Sequence, residues 1–448
     1  MAIENSNNSA IGGTGASLEV TEGYRRYVLF MLLMVFTFSH VDRHILAAVL
    51  ELVKDDLDLS DTQLGFLTGF AFALFYATLA MPMAMWADRH SRKNLIIFSL
   101  SVWSLLTMVC GLTTNFIQLA VARIGVSIGE AGSSPPSHSM IADIYPPERR
   151  ATAMAMLAIG VNIGLAIGFS FGAWVGEHYG WQMAFFAVGG PGLLLALLLK
   201  FTLREPPRGH ADGLSETAGQ LKRDVPLLKE VFARFWKIKS LRHLIAGATL
   251  NVFVAYGVVA WTSSFLIRSH GMSISEAGFW IATIAGFGGF AGTLVGGYLS
   301  DQVGRNDARR RMWLLAAAAV IMTPFYVAFL LVGNTQLALM LWTVPIFIGH
   351  FYLPATFAMV QGLAPLRMRS VSAAILFFVL NIIGLGLGPQ SVGVLSDMLA
   401  PDLGSDSLRY AMLMAGTATL WAAVHYTLSA RTLRADLEAT TSSDQSAN

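Results

Sequence analysis

A polar loop that occurs twice between long apolar stretches constrains the fold of this chain more than any other feature. The first copy contains Asp88 and Arg92, and the second contains Asp301 and Arg305 with the same four-residue spacing. The two Asp residues lie 213 positions apart in a chain of 448 residues. This interval predicts two related halves, an organisation typical of proteins built from repeated membrane segments.

The composition is that of a polytopic membrane protein. Charged residues make up 13% of the chain, against roughly 25% in soluble domains, and the mean hydropathy is +0.57. A formal net charge of +2 gives no affinity for nucleic acid. The single cysteine, Cys110, excludes an internal disulfide and a zinc cluster.

Apolar runs of about 20 residues predict twelve transmembrane helices in two six-helix bundles related by pseudo-symmetry. Runs of this length are too continuous for the alternating strands of a barrel, so the fold class is all-α. The predicted spans are 27–50, 64–86, 94–112, 117–140, 152–175, 182–202, 243–268, 277–299, 312–332, 337–360, 370–394 and 408–430. The predicted domains are a flexible tail (1–22), a first bundle (23–203), a linker (204–242), a second bundle (243–430) and a tail (431–448).

The distribution of basic residues predicts the orientation. Of the 30 lysines and arginines, 25 fall at the chain ends or in the loops assigned to one side. The positive-inside rule therefore places both termini in the cytoplasm and the protein in the plasma (inner) membrane. In the linker, Leu228, Val231, Phe232 and Phe235 recur at helical spacing among basic residues. They predict either an amphipathic helix on membrane lipids or a solvated linker.

Four charges fall inside predicted spans of the first half, and they carry the prediction of mechanism. Asp42 and Arg43 lie in the first span, and Arg123 and Glu130 lie in the fourth. Each unpaired charge in the membrane interior costs roughly 2.5–3.5 kcal/mol, so contacts between the helices, Asp42 with Arg123 or Arg43 with Glu130, are expected. Burial favours a protonated carboxyl group and a nearby arginine favours the ionised form, so hydration can switch proton uptake.

We therefore interpret Asp42 and Glu130 as proton-coupling residues and Arg43 and Arg123 as their charge partners or as ligands of a substrate head group. Protons are the expected coupling ion, and no metal or cofactor is predicted. The alternative is a pair of permanent ion pairs that only fix helix packing.

The duplicated loop predicts a cytoplasmic gate formed by Asp88, Arg89, Arg92, Asp301 and Arg305. A purely topogenic role for the basic residues is the alternative. Gly388 and Pro389 predict a hinge in the eleventh span, because proline removes a backbone hydrogen bond. Tight helix packing is the alternative for this glycine-rich segment.

The two Asp/Arg loops resemble the motif between helices 2 and 3 and between helices 8 and 9 of the major facilitator superfamily. Within that superfamily the chain is similar to bacterial relatives of the Spinster lipid transporters. The segments that carry this resemblance are Val41-Asp42-Arg43, Leu59-Ser60-Asp61-Thr62-Gln63-Leu64-Gly65, Arg123 with Gly129-Glu130-Ala131, Ile141-Ala142-Asp143 and Gly388-Pro389-Gln390-Ser391-Val392-Gly393. The resemblance implies alternating access, proton linkage through Asp42, Arg43, Arg123 and Glu130, and an amphipathic substrate such as a lysophospholipid or a sphingoid phosphate.

The sequence thus predicts a proton-coupled secondary transporter that acts as a monomer. The residues themselves indicate a polar first half and an apolar, aromatic second half with Phe253, Tyr256, Trp261, Phe377 and Phe378. Two alternatives stay open: a proton-linked carrier of a small organic anion, and a non-transporting receptor or scaffold. An enzyme is not expected, because the sequence shows no paired nucleophile and base and no cluster of metal ligands.

Overall fold

A computed structural model of the chain describes residues 21–208, 211, 228–364 and 368–445. These residues form helices, and no strand occurs among them. The predicted tail at 1–22 lies outside the described residues except for Thr21 and Glu22, as do residues 209, 210 and 212–227 of the predicted linker.

The first half contains nine helices among the described residues, several of which are shorter than a membrane span. They are α1 (Glu22–Ala48), α2 (Leu50–Leu57), α3 (Asp61–Gly65), α4 (Ala71–Arg89), α5 (Arg92–Cys110), α6 (Phe116–Glu130), α7 (Ser134–Ile144), α8 (Pro147–Tyr179) and α9 (Trp181–Thr202). A π-helical turn, π1 (Phe66–Phe70), joins α3 to α4 without a break.

The described part of the linker and the second half follow the same plan. Their helices are α10 (Leu228–Lys237), α11 (Lys239–His270), α12 (Ile274–Ile281), α13 (Gly288–Gly304), α14 (Arg309–Leu331), α15 (Thr335–Gly349), α16 (Tyr352–Leu363), α17 (Arg369–Val379), α18 (Gly388–Leu403), α19 (Ser407–Gly416) and α20 (Ala418–Gln445). Two further π-helical segments, π2 (Ala282–Phe287) and π3 (Leu380–Leu387), connect α12 to α13 and α17 to α18.

Ten helical stretches are long and apolar enough to cross a membrane, against twelve predicted spans. The difference has two local causes. The predicted span 117–140 is divided at 131–133 into α6 and α7, each too short to qualify alone. The predicted spans 370–394 and 408–430 fall within one continuous stretch, 371–440. The helix at the carboxyl end also continues to Gln445, through most of the predicted tail at 431–448.

A helix is present where the linker pattern predicts an amphipathic one. On α10, Val231 is buried against the second half, whereas Phe232 and Trp236 are exposed. The side chains of Leu228 and Phe235 lie outside the described residues. Exposed aromatic side chains beside a packed apolar one fit a helix that lies on a surface rather than one that crosses a membrane.

The capping of two helices shows the same internal repeat as the Asp/Arg loops. Ser60 and Gln63 form a capping box at the start of α3, and Ser273 and Glu276 form one at the start of α12. These boxes are 213 positions apart, the interval that separates Asp88 from Asp301. A capping box satisfies two backbone N–H groups at a helix start, so the same sequence device begins the second membrane segment of each half.

The packing of α1 against α8 sets the position of the central charges. A Cβ atom on Gly164 of α8 would lie 2.5 Å from the Thr37 carbonyl oxygen of α1, and one on Gly168 would lie 3.0 Å from the Val41 carbonyl oxygen. Only glycine allows two helix backbones to approach this closely. The residues next to Val41 in α1 are therefore held at a fixed depth in the first bundle.

The two halves meet along two seams. In one, π1 and α4 pack against π3, and a Cβ atom on Gly69 would lie 2.5 Å from the Gly386 carbonyl oxygen. In the other, α8 packs against α12 and π2, and a Cβ atom on Gly278 would lie 2.5 Å from the Phe169 carbonyl oxygen. We call the end of the molecule that carries Asp61 the Asp61 end, and the opposite end, where α4 finishes, the Asp88 end.

Candidate functional site

The interior of the first half brings together the four charges predicted to carry the mechanism. Asp42 and Arg43 lie on α1, Arg123 lies on α6, and Glu130 is the last residue of α6. Asp42, Arg123 and Glu130 are at most 1% exposed, and the Arg43 side chain is 9% exposed. The helix ends at Glu130 because the chain turns at 131–133 and restarts as α7, whose first turn accommodates two prolines.

The first ion pair joins Arg43 to Glu130. Arg43 Nη2 lies 2.9 Å from Glu130 Oε2, and the Ser39 hydroxyl donates to the same oxygen at 2.8 Å. Ser39 and Arg43 are four residues apart, so both side chains leave α1 on one face. The Glu130 carboxylate is thus bound twice by one helix.

The second ion pair joins Arg123 to Asp42 and is looser. Arg123 Nη1 lies 3.5 Å from Asp42 Oδ1 and donates to the Asp42 backbone carbonyl at 3.3 Å. The Thr107 hydroxyl of α5 donates to the other carboxylate oxygen, Oδ2. Both contacts between helices that the sequence predicts are therefore present in the structure.

Each carboxylate keeps one oxygen outside the hydrogen bonds between described residues. These atoms are Asp42 Oδ1 and Glu130 Oε1, and both are buried. An oxygen in this position can accept a proton without the loss of an existing hydrogen bond. The ionised carboxylate, in contrast, needs its arginine to offset the loss of hydration in a dry interior. The arrangement is chemically able to exchange protons, and the roles of the four residues stay predictions.

A second charged network, which the sequence analysis did not single out, joins the halves at the Asp61 end. Arg268, near the end of α11, contacts Glu51 at 2.8 Å through two nitrogens and Asp61 at 2.7 and 2.9 Å. The Asp61 carboxylate also accepts hydrogen bonds from Lys54 Nζ at 2.5 Å and from the Ser396 hydroxyl at 2.6 Å. A cation at the end of a predicted span, facing an acidic loop, is the sequence signal that could have identified Arg268.

A helix start reinforces this junction. The Asp397 carboxylate of α18 accepts hydrogen bonds from the backbone N–H groups of Asp61 and Thr62, at 3.0 and 2.7 Å. A carboxylate at the first turn of a helix satisfies free N–H groups and complements the helix dipole. The second half therefore caps a helix of the first half.

At the Asp88 end, Arg92 has the central position among the predicted gate residues. Its buried guanidinium binds Asp143 and donates to Glu205 at 2.8 Å. Burial alone would raise the pKa of the Glu205 carboxyl group, but hydrogen bonds from Arg92, the Lys93 N–H and the Ser91 hydroxyl hold that pKa below its ordinary value. Arg92 thus ties the starts of α5 and the linker to α7.

The other predicted gate residues are exposed. Asp88 and Arg89 are exposed at the end of α4, and the guanidinium of Arg208 donates to backbone carbonyls there, including that of Asp88. Arg305 is exposed, and the Asp301 side chain is 80% exposed with Arg311 at 3.5 Å. The two copies of the motif therefore share the Asp/Arg spacing at a helix end, but the arginine is buried in the first copy and exposed in the second.

Gly388 and Pro389, the predicted hinge, lie where π3 ends and α18 begins. A Cβ atom on Gly388 would lie 2.4 Å from the Phe253 carbonyl oxygen, and the Pro389 carbonyl accepts a hydrogen bond of 2.9 Å from the Trp261 indole. Trp261, one of the aromatic residues of the second half, is fully buried and packs inside the second bundle. Close packing at this segment is observed, and its hinge role stays a prediction.

The sequence pattern of the Major Facilitator Superfamily matches residues 32–389. The crystal structure of a bacterial homologue of the human lysosomal transporter Spinster, in an inward-facing and unoccupied conformation, superposes with a TM-score of 0.84. It is 31% identical, and the match covers 93% of this chain and 99% of that chain.

Two curated relatives are similar over most of their length. An "MFS-type efflux pump" of Mycolicibacterium smegmatis is 29% identical, over 91% of this chain and 93% of the relative. A "D-galactonate transporter" of Escherichia coli is 26% identical, over 85% of this chain and 91% of the relative.

Proposed function

Because the chain belongs to the Major Facilitator Superfamily and is Spinster-like, we propose that it is a proton-coupled secondary transporter that works by alternating access. The observation that carries the proposal is the buried cluster of Asp42, Arg43, Arg123 and Glu130. Four unpaired charges in a membrane interior would cost on the order of 10–14 kcal/mol, so the ion pairs must be retained or replaced by water or protons. A transport cycle that hydrates the cluster from alternate sides supplies that replacement.

The proposed orientation places the Asp61 end outside and the Asp88 end in the cytoplasm of a plasma membrane, with the protein acting as a monomer. The basic residues of the loops support it through the positive-inside rule. In this orientation the network around Arg268 closes the outer side, which corresponds to an inward-facing state. The likeness to the inward-facing structure of the bacterial Spinster homologue supports the same assignment.

We propose an amphipathic, lipid-like substrate, such as a lysophospholipid or a sphingoid phosphate. The Spinster likeness supports this class, and so does the contrast between the halves. When hydration opens the cluster, Arg43 and Arg123 can offer guanidinium groups to a charged head, whereas Phe377 and Phe378 of the second half are exposed apolar rings. The first group of side chains suits an anionic head group and the second suits an aliphatic tail.

A small sugar acid is the second candidate substrate. The D-galactonate transporter is similar over most of this chain, and a guanidinium binds a carboxylate as well as it binds a phosphate. The two candidates differ in the need for an apolar tail, so one panel of probes separates them.

The test uses purified protein in vesicles with an imposed pH gradient. The probes are a lysophospholipid, sphingosine phosphate and D-galactonate, and Asp42→Asn and Glu130→Gln are compared with wild type. Asp55→Asn is the matched control, because Asp55 is exposed on α2 and lies outside the cluster. We expect flux of one probe to depend on the pH gradient in wild type and control, and to lose that dependence in both cluster variants.

Full gradient-driven flux in both cluster variants would overturn proton coupling through this site. Flux of D-galactonate without flux of either lipid would replace the lipid assignment with the sugar acid. A protein that moves no probe and shows no probe-dependent change in conformation would instead fit a receptor or scaffold.

A further inference from the structure

One buried phenyl ring faces both arginines of the charge cluster. The Arg43 guanidinium carbon lies 4.6 Å from the centroid of the Phe72 ring, and that of Arg123 lies 5.7 Å from the same centroid. Phe72 is 1% exposed. It belongs to α4, whereas the charges belong to α1 and α6, so a third helix completes the cluster.

A second ring on α4 extends the contact. Tyr76 lies one turn after Phe72, and its ring centroid is 4.8 Å from the Arg43 guanidinium carbon. The two rings stack, with centroids 5.4 Å apart and planes 22° apart. Arg43 is thus held between the Glu130 carboxylate on one side and two aromatic faces on another.

The contacts matter because hydrogen bonds leave the guanidinium groups incompletely held. Neither Arg43 Nε nor Arg123 Nε bonds to another described residue, although both atoms are buried. The face of an aromatic ring attracts a cation, and the attraction grows when both are removed from water. At Phe72 one ring supplies this attraction to two cations, each of which is paired with a different carboxylate.

We infer that Phe72 is a positioning residue for proton coupling: its ring sets how firmly Arg43 and Arg123 hold Glu130 and Asp42, and Tyr76 assists at Arg43. The inference rests on the proposed function. α4 also packs against π3 of the second half, so the inference includes a shift of the ring relative to the arginines when the halves move. The ring therefore links the opening of the molecule to the affinity of the cluster for protons.

A purely space-filling role for Phe72 makes a different prediction. A core ring can be replaced by another apolar group with a loss of stability, but without a change in the protonation of its neighbours. A positioning role requires the electron density of the ring face, because that density attracts the guanidinium groups. Substitution of ring hydrogens by fluorine reduces this density and leaves the shape nearly unchanged.

The experiment measures protonation without a substrate. The carboxylic acid bands of the full-length protein are titrated by infrared difference spectroscopy, and the bands of the cluster are assigned by their loss in Asp42→Asn and Glu130→Gln. Position 72 carries phenylalanine or its mono-, di- or trifluorinated forms, and Phe72→Leu removes the ring. Phe185 is the matched control, because it is fully buried and contacts Trp181 rather than a cation among the described residues.

We expect the midpoint of the assigned bands to rise stepwise with fluorination at position 72, by about one pH unit for the full series. Arginines that are held less firmly favour the ionised carboxylates less. Phe72→Leu is expected to give a rise of similar size, and Tyr76→Leu a smaller rise because that ring contacts Arg43 alone. The same series at Phe185 is expected to leave the midpoint unchanged.

A flat or falling series at position 72, in a protein whose wild-type bands titrate, would overturn the role of Phe72 and leave proton coupling intact. Wild-type bands that do not titrate would instead overturn the proposed function. The fluorinated forms preserve the packing, so the result does not depend on whether Phe72→Leu folds.

Discussion

The first half buries two ion pairs between α1 and α6, whereas the corresponding helices of the second half, α11 and α15, meet at uncharged groups. There the Asn251 amide donates to the Gly349 carbonyl at 3.2 Å. The backbone devices are nevertheless shared. Gly164 lies against the Thr37 carbonyl in the first half as Gly388 lies against the Phe253 carbonyl in the second. Since the second half folds without buried ion pairs at this place, the fold does not require them, and they are a specialisation of the first half.

The largest expected effect tests that specialisation. Arg43→Met leaves the Glu130 carboxylate buried without its cation, so we expect a loss of about 3–5 kcal/mol in the free energy of unfolding. Asn251→Leu removes a neutral hydrogen bond in the second half and should cost about 1 kcal/mol. Unfolding of the purified proteins in detergent measures both, and equal losses would erase the contrast. The double variant Arg43→Met/Glu130→Gln should recover much of the stability.

The second half contributes a charged side chain, Arg268, to the contact between the halves at the Asp61 end of the molecule, and not to a buried cluster in its interior. Arg268→Gln removes a cation shared by Glu51 and Asp61, so we expect the equilibrium to shift toward opening of the Asp61 end by about tenfold. Spin labels on cysteines introduced at Asp55 and Ser405 report the separation of the halves. Arg409→Gln is the control, because Arg409 pairs with Asp406 inside its own half. The same distance distribution in both variants would contradict a closing role.

The two copies of the polar loop provide the next test. Arg92→Gln removes a buried cation from Asp143 and Glu205, and we expect a loss of about 2–3 kcal/mol. Arg305→Gln, at the matching position of the second half, changes an exposed side chain and should leave the melting temperature unaltered. A large effect of Arg305→Gln would show that the second copy is structurally engaged as well.

The shared glycine contacts predict similar effects in the two halves. Gly164→Ala and Gly388→Ala each force a Cβ atom to within 2.5 Å of a backbone carbonyl oxygen, and each should cost about 1–3 kcal/mol. Gly190→Ala is the control, because no neighbouring atom lies within 4 Å of the new Cβ. If only one of the first two variants loses stability, the halves are not packed by the same device.

The smallest expected effect concerns pH at the Asp88 end. The pKa of Glu205 is lower in the folded protein than in the unfolded chain, so its stabilising contribution is present above the ordinary glutamate pKa of about 4.3 and is lost as pH falls below it. We expect Glu205→Gln to remove part of the acid sensitivity of the melting temperature. A melting curve against pH between about 3 and 6 measures this. An unchanged acid limb would show that Glu205 contributes nothing to it.

The fold was predictable to a large extent because the bilayer restricts the choices. Apolar runs of sufficient length must become helices, and the interval between the Asp/Arg loops identified the two halves. The sequence predicted a bend at Pro135-Pro136, just past Glu130, but neither the full division of the fourth span nor the π-helical segments. They arise from backbone turns and packing between helices, which apolar length does not reveal.

The candidate site was predictable in part. Charges such as Asp42 and Glu130 stand out in an apolar sequence, and their cost in a membrane required partners. Arg268 and Phe72 were missed for different reasons. Arg268 sits at the edge of a span, where charges are common, and a phenylalanine in an apolar helix gives no signal of which cation its ring will face.

The sequence by itself determined the class of fold, the two-part organisation and the identity of the four charges buried between α1 and α6, because each follows from the cost of polar groups in a membrane and from spacing along one chain. Only the tertiary structure decided how closely each arginine holds its carboxylate, that Arg92 of the first polar loop is buried whereas Arg305 of the second is exposed, and that one ring faces both cations. Such contacts join helices far apart in sequence, and their geometry depends on how closely glycine-lined backbones approach one another.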